Sequence, residues 1–435
     1  MNSPLQTYLE HVATEPFGTW SGRVTKAVGQ LVESEGPLCS VGEACEIVDS
    51  QGHRYEGEVV GFRGNTVLSM PLETPDGIRF GDRVITRGTR PHLRVGDDLI
   101  GRVIDGLGRP LDGRGGYSAS GRWPLERSAP LPLERTTIRE PLGTGIRAID
   151  GFLTCGRGQR LGVFGGSGVG KTSLVGTMVR GTAADLTVLA LVGERGREVR
   201  EFLEEGLGPE GVSRSVVVVS TSDQSPLRRI RAALSAAAIA EHFSSKGRNV
   251  LLVVDSLTRI AMAQREIGLA AGEPPTAKGY TPSVFALLAR LVERAGQFGP
   301  GSITAFFSVL MEGDDQQDPL VDAARSLLDG HIVLDRRLAS EGHYPAISVL
   351  DSLSRLMTSV APPEHIEKAR QLRKMLADYA RSEDLIRIGA YQQGSDPDLD
   401  RAVAAREGIM AYLKQSRDQP VAFKAAQDAL LALES

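Results

Sequence analysis

The chain has 435 residues, 41% of them hydrophobic, and a formal net charge of -4. That length carries two or three domains with cores of their own, and the slightly acidic balance gives no support to broad nucleic-acid binding. No apolar run approaches the roughly 20 residues of a membrane span, and no basic segment followed by a hydrophobic one opens the sequence, so the expectation is a cytoplasmic chain without Sec export. Three cysteines, Cys39, Cys45 and Cys155, cannot all pair, and no C-x-x-C or histidine-rich cluster offers metal-ligand spacing.

Leu5, Tyr8, Leu9 and Val12 fall on one helical face before a break at Pro16 and Gly18, which predicts an amphipathic helix over residues 1–20. Short β-rich runs then follow, Ala44 to Val48, Gly57 to Val60 and Thr66 to Ser69 among them, punctuated by glycine and charged turns. They predict a small antiparallel barrel over 21–92. Between Val95 and Leu133 glycines and the segment Ala129-Pro130-Leu131-Pro132 read as a connection. From about Leu142 to Leu350 strands alternate with helices: Leu161 to Phe164, Leu186 to Val192, Val216 to Ser220, Val250 to Val254, Ser302 to Leu310 and His331 to Leu334 are strand-like. That alternation predicts a parallel α/β core within 93–360. Ser225 followed by Pro226 marks a helix start before the alanine-rich Ala232 to Ala240. After Pro362-Pro363 the composition is helical, over 361–435.

The chemistry concentrates in the α/β segment. Gly165-Gly166-Ser167-Gly168-Val169-Gly170-Lys171-Thr172 matches G-x-x-x-x-G-K-[ST] in full, between a strand ending at Phe164 and helical spacing from Ser173. Glycines let the loop amides face phosphate oxygens, the helix N-terminus adds partial positive charge, Lys171 reaches the β- and γ-phosphates and the Thr172 hydroxyl suits Mg²⁺. The apolar run Leu251 to Val254 ends in Asp255, the form of an acid that holds Mg²⁺ through water. Glu194, at the end of the strand from Leu186, stands where a carboxylate would meet the γ-phosphate and polarise a water; its setting in Gly193-Glu194-Arg195-Gly196-Arg197-Glu198 also fits a solvated charged loop. Arg195 and Arg259 fit γ-phosphate ligands or structural ion pairs alike.

Together with the run from Thr144 to Gly151, Cys155 to Arg160, Gly193 to Val199 and Asp255-Ser-Leu-Thr-Arg259, the sequence resembles the ATPases of type III secretion systems. Further blocks agree: Ala261 to Glu266, Gly272 to Pro275, Glu312 to Pro319, Leu328 to His331 and Gly342 to Ala346. The match covers nearly the whole chain. That family is similar to the α and β subunits of rotary F-type ATP synthases, and the resemblance implies a barrel, a RecA-like ATPase core and a C-terminal helical domain. It also implies a homohexameric ring hydrolysing Mg-ATP at subunit interfaces. Glu194 falls on the family's catalytic glutamate. Arg355, in Ser352-Leu-Ser354-Arg355, matches the arginine finger that reaches a neighbour's γ-phosphate. Tyr344 falls where the rotary relatives stack an aromatic on adenine. Ser348 departs from the acid or amide usual after Pro-Ala-Ile.

Gly389-Ala-Tyr391, Gly394-Ser-Asp-Pro397 and Leu399-Asp400, with the glycine-serine-glycine phosphate loop, look more like the flagellar export ATPase than the injectisome one. The flagellar resemblance implies a stator-like regulatory protein on the N-terminal helix and a coiled-coil stalk protein against the C-terminal domain. It also implies chaperone-cargo complexes and an export gate at the inner membrane, with the ring peripheral at its cytoplasmic face. Leu5, Tyr8, Leu9 and Val12 fit a helix-in-groove anchor, and equally a face packed on the chain's own barrel. A ring RNA helicase shares the core, but residues 1–92 hold 8 Lys/Arg against 12 Asp/Glu, and the barrel offers only Tyr55, Phe62 and Phe80 for base stacking. A rotary synthase subunit is disfavoured by the blocks Glu266 to Pro275 and Glu312 to Pro319.

Overall fold

In the computed structural model the described residues are 19–74, 77–311 and 318–434. The expected N-terminal helix, with Leu5, Tyr8, Leu9 and Val12, lies outside them, as do residues 312–317 of the Glu312 to Pro319 block. Alternating apolar and polar residues between 20 and 86 form six antiparallel strands: β1 (Trp20–Val28), β2 (Leu31–Glu35), β3 (Ala44–Val48), β4 (Arg54–Arg63), β5 (Thr66–Pro71) and β6 (Arg83–Thr86). They close in the order β1-β2-β5-β4-β3-β6, with β6 returning to β1. Closure leaves no sheet edge. The inward positions bury Val24, Val32, Cys45, Ile47, Val59, Val67 and Val84 as a core. Register shifts at Val24/Lys26 and Val59/Gly61 supply the bends that closure needs.

The stretch expected to be only a connection contributes structure of its own. β7 (His92–Val95) pairs with β9 (Gly121–Pro124), and β8 (Val103–Asp105) lies parallel at one edge of the central sheet. Three buried residues between glycine-rich turns are too short for a periodic signal.

The central sheet takes in β10 (Arg160–Gly165), β11 (Leu186–Glu194), β12 (Ser215–Thr221), β13 (Asn249–Asp255), β14 (Gly296–Phe298), β15 (Gly301–Leu310), β16 (Gly330–Leu334) and β17 (Ile347–Ser354). Its order is β17-β16-β10-β15-β13-β11-β12-β8, with β14 on β15. Pairing is parallel except for β14 and β17. Its parallel strands are buried on both faces, so they read as unbroken runs such as Val216 to Val219 and Leu251 to Val254.

The helices that matter for the site are α1 (Arg147–Phe152), α2 (Lys171–Gly181), α3 (Pro226–Ser245) and α4 (Leu257–Ala271). Ser225 caps α3 by accepting the Arg228 N–H at 3.3 Å, and its hydroxyl donates to the Leu72 carbonyl at 2.6 Å. One serine thus starts a helix and ties the barrel to the core. A buried Arg231–Glu58 pair at 2.8 Å crosses the same junction. The helices α5 (Pro363–Arg387), α6 (Pro397–Leu413) and α7 (Phe423–Leu431) form the C-terminal part. Pro363 opens α5 at its first position, where a missing N–H costs nothing. His365 reaches the Gly151 carbonyl at 2.6 Å, and the Tyr412 hydroxyl donates to the carbonyls of Ala426 (2.9 Å) and Arg147 (3.2 Å), so this part is fastened to α1.

Candidate active site

The phosphate loop joins the end of β10 to the start of α2. Gly168 and Gly170 take φ of 79° and 93°, the left-handed region that side chains avoid. Gly170 is also the N-cap of α2 with no side chain capping it, so the first-turn amides are left to a ligand. Lys171 is buried, and its ammonium donates to the carbonyls of Gly165 and Gly166, both at 2.6 Å. The lysine is folded over the loop it serves.

Glu194 ends β11 just after a register shift between Val192 and Glu194. The shift goes through Gly193, whose φ is 74° and whose Cβ, if present, would lie 2.6 Å from Arg259 Cδ. Only glycine allows both the turn and that approach. Arg259, in the first turn of α4, pairs with Glu194 at 3.3 Å. Burial first, and then the negative charge of Asp255, push the Glu194 carboxyl up to about 7, against the opposing pull of Arg259. Asp255 is buried at the end of β13 and accepts the Ser308 hydroxyl; burial raises its pKa, while Ser308, Lys171 and Arg259 lower it.

Two cavities flank the first turn of α2. One, of about 360 Å³, is mainly apolar, with Ile146, Gly170, Leu174, Tyr344, Pro345 and Gln415 in its wall. The Tyr344 ring sits 3.5 Å from where a Gly170 Cβ would stand, so it covers the loop directly. The other, of about 230 Å³, gathers Thr172, Glu194 and Asp255 with Glu198, Glu201 and Glu205. Ser173 and Arg417 line both. Hydroxyl and carboxylate oxygens are the donor set that hard divalent cations take, so Thr172 and Asp255 fit Mg²⁺.

Of the remaining candidates, Arg195 pairs with a carboxylate of the acidic cavity and Arg355 stands apart. Arg195 is 79% exposed and pairs with Glu198 at 3.4 Å. Arg355 is exposed just beyond β17. Because β17 runs antiparallel to β16, with Ile347 opposite Leu334 and Ser354 opposite Gly330, its end lies where the parallel strands begin. The Arg355 N–H donates to the Asp329 carbonyl (3.0 Å), and the Asp329 N–H donates to the carbonyl of Arg160 (2.9 Å), the first residue of β10. The length of β10 therefore separates Arg355 from its own phosphate loop, about 17 Å at ~3.3 Å per residue. Ser348 donates to Asp351 at 2.6 Å, and its carbonyl accepts the Ser352 hydroxyl at 2.5 Å, so a serine satisfies this irregular stretch of β17 locally.

Gln415, Ser416 and Arg417 are site residues that sequence reasoning missed. They lie between α6 and α7, where no motif or periodicity marks them. Their place is set by long-range bonds: Gln415 accepts the Arg147 N–H (2.9 Å) and donates to Gly145 (2.8 Å), while the Arg417 carbonyl accepts from Thr177 (2.9 Å) and Arg180 (2.6 Å).

A glycine loop on a parallel sheet, beside an apolar cavity and an acidic one, defines a P-loop nucleotide hydrolase. Residues 145–354 match the nucleotide-binding domain of the ATP synthase alpha/beta family, residues 24–88 its beta-barrel domain, and residues 361–432 the T3SS EscN ATPase C-terminal domain. The chain is 50% identical over 416 residues to the flagellum-specific ATP synthase of Bacillus subtilis, covering 95% of this chain and 94% of that one. It is 47% identical over 422 residues to the type 3 secretion system ATPase of Xanthomonas euvesicatoria, covering 97% and 96%. Its structure resembles the assembled ATPase EscN of the enteropathogenic E. coli type III secretion system, with a TM-score of 0.89, 42% identity, and 95% and 99% of the two chains covered. The chain belongs to the ATP synthase alpha/beta family, among the ATPases of type III export.

Proposed function

We propose that this chain hydrolyses Mg-ATP at sites shared between copies of itself in a homohexameric ring, and that hydrolysis drives export of flagellar proteins. The observation that carries the shared site is the sheet geometry: Thr172, Glu194 and Asp255 meet in one cavity, while Arg355 stands at the far end of the same strands. An arginine placed there can serve a neighbour's phosphate loop and not its own.

In this reading adenine lies in the apolar cavity against Tyr344, and the phosphates run along the first turn of α2 under the loop amides and Lys171. Thr172, and Asp255 through water, would hold Mg²⁺, which would supply neutralising charge to the phosphates. Glu194 orients the attacking water and accepts its proton. Arg259 holds that carboxylate in place. Arg355 of the adjoining copy neutralises charge developing on the γ-phosphoryl group, and Arg195, exposed beside Glu194, is placed to assist at the same interface.

Self-assembly and a stalk partner are supported by the assembled EscN structure and by EscN in complex with its central stalk EscO, to which this fold is also similar (TM-score 0.87). The flagellar assignment is supported by four flagellum-specific ATP synthases at 50–51% identity. An injectisome ATPase is the second reading, supported by relatives named type 3 secretion system ATPase at 46–48%, a range that a further flagellum-specific ATP synthase at 46% also reaches. A stator-like protein, chaperone-cargo complexes and the export gate complete the proposed set of partners, at the cytoplasmic face of the inner membrane. Among the described residues no helix is long and apolar enough to cross a membrane.

Replacing Arg355 by alanine tests the shared site. ATP binding should stay within about twofold while turnover falls about 10³-fold, the scale of a transition-state arginine. Arg355→Ala chains that turn over normally would refute it.

A further inference from the structure

The loop joining α6 to α7 places a cation where the two cavities meet. Five carboxylates line the acidic cavity: Glu194, Glu198, Glu201, Glu205 and Asp255. Among the described residues lining it, Arg417 is the one cation. Arg417 also borders the apolar cavity, as does Ser173 of α2, so these two residues line both the space proposed for the base and the space proposed for the outer phosphates.

The position of Arg417 is built and not incidental. Its carbonyl accepts from the Thr177 hydroxyl and from Arg180, both on α2. Arg180 also donates to the carbonyl of Gly206, another residue lining the acidic cavity. One guanidinium of α2 therefore holds two segments of that cavity's lining together. The Arg417 side chain is 63% exposed, and its carboxylate partner is the exposed Asp418 at 3.6 Å. Such a pair holds a guanidinium weakly, so turning it toward a polyanion costs little.

We propose that Arg417 is a nucleotide-binding residue that the C-terminal part supplies to its own chain's site, contacting the phosphates beyond the first. This rests on the reading of the two cavities as one nucleotide site. A guanidinium there offsets the acidic charge left in the cavity after Arg259 pairs with Glu194 and Arg195 with Glu198, and offers paired donors to adjacent phosphate oxygens. It also fixes the loop between α6 and α7 to the ligand, so nucleotide occupancy is felt directly by the C-terminal helices.

The test is equilibrium binding of ATP, ADP and AMP to the full chain, comparing wild type with Arg417→Ala and Arg417→Lys, each checked for unchanged thermal unfolding without nucleotide. Arg417→Ala should weaken ATP and ADP about tenfold and leave AMP unchanged, the loss of a charge-assisted hydrogen bond to the outer phosphates. Arg417→Lys should recover part of the loss. Equal ATP affinity in Arg417→Ala and wild type would overturn the proposal, and so would an equal loss for all three nucleotides, which marks a damaged wall. A Lys171→Ala chain in the same assay separates the two claims: if it binds ATP like wild type, the nucleotide site itself is misread.

Discussion

Glu194 combines three constraints in one side chain: a strand end, a glycine that lets Arg259 come close, and a buried neighbouring acid. Burial of the side chain, and then the charge of Asp255, hold its carboxyl at about 7 against the pull of Arg259, above the ordinary glutamate range. The sign follows directly. Below that value the group is protonated in the free enzyme and cannot accept a proton from water, so kcat/KM for ATP should rise with pH through about 7 and level off above it. Glu194→Gln should lose turnover about 10²- to 10⁴-fold and lose that limb as well. A profile of the wild type that is flat from pH 6 to 8 would remove Glu194 from the role of base. The phosphate loop and Asp255 were legible in the sequence because each is a short motif with a fixed chemical use. The alternatives for Arg195 and Arg259 stayed open there because spacing says nothing of what an arginine faces. In the folded chain Arg259 is paired with Glu194, and Arg195 is exposed.

At the scale of elements, the six strands expected in the α/β segment all form, since parallel strands buried on both faces leave unbroken apolar runs. What escaped was short, held from afar or, in β17, half-exposed and so without an unbroken apolar run. β8 spans three residues, and the loop carrying Gln415 and Arg417 owes its place to bonds with Gly145, Arg147, Thr177 and Arg180, more than 200 positions away. Tertiary bonds of that range leave no local pattern. Ser225 was readable as a cap, but its second bond, to Leu72, was not. Replacing it by alanine removes both, and should lower the unfolding free energy of the chain in urea by about 1–2 kcal/mol. Ser225→Thr keeps a hydroxyl for both bonds and should cost less; equal stability of alanine and serine forms would show that the junction does not depend on this residue.

For the whole molecule, the barrel, sheet and C-terminal helices of one chain assemble most of a site and leave one cation out. Arg355 lies at the opposite end of the strands from Lys171; in the proposed shared site turnover therefore belongs to assembled copies, and specific activity should climb with protein concentration. Mixing two inactive chains tests this most directly. In a ring made from equal amounts of Arg355→Ala and Glu194→Gln, about a quarter of interfaces join an intact Glu194 to an intact Arg355. We predict that the mixture recovers up to about a quarter of wild-type turnover while each variant alone remains inactive. Mixed rings that form and stay as inactive as either variant alone would contradict the shared site.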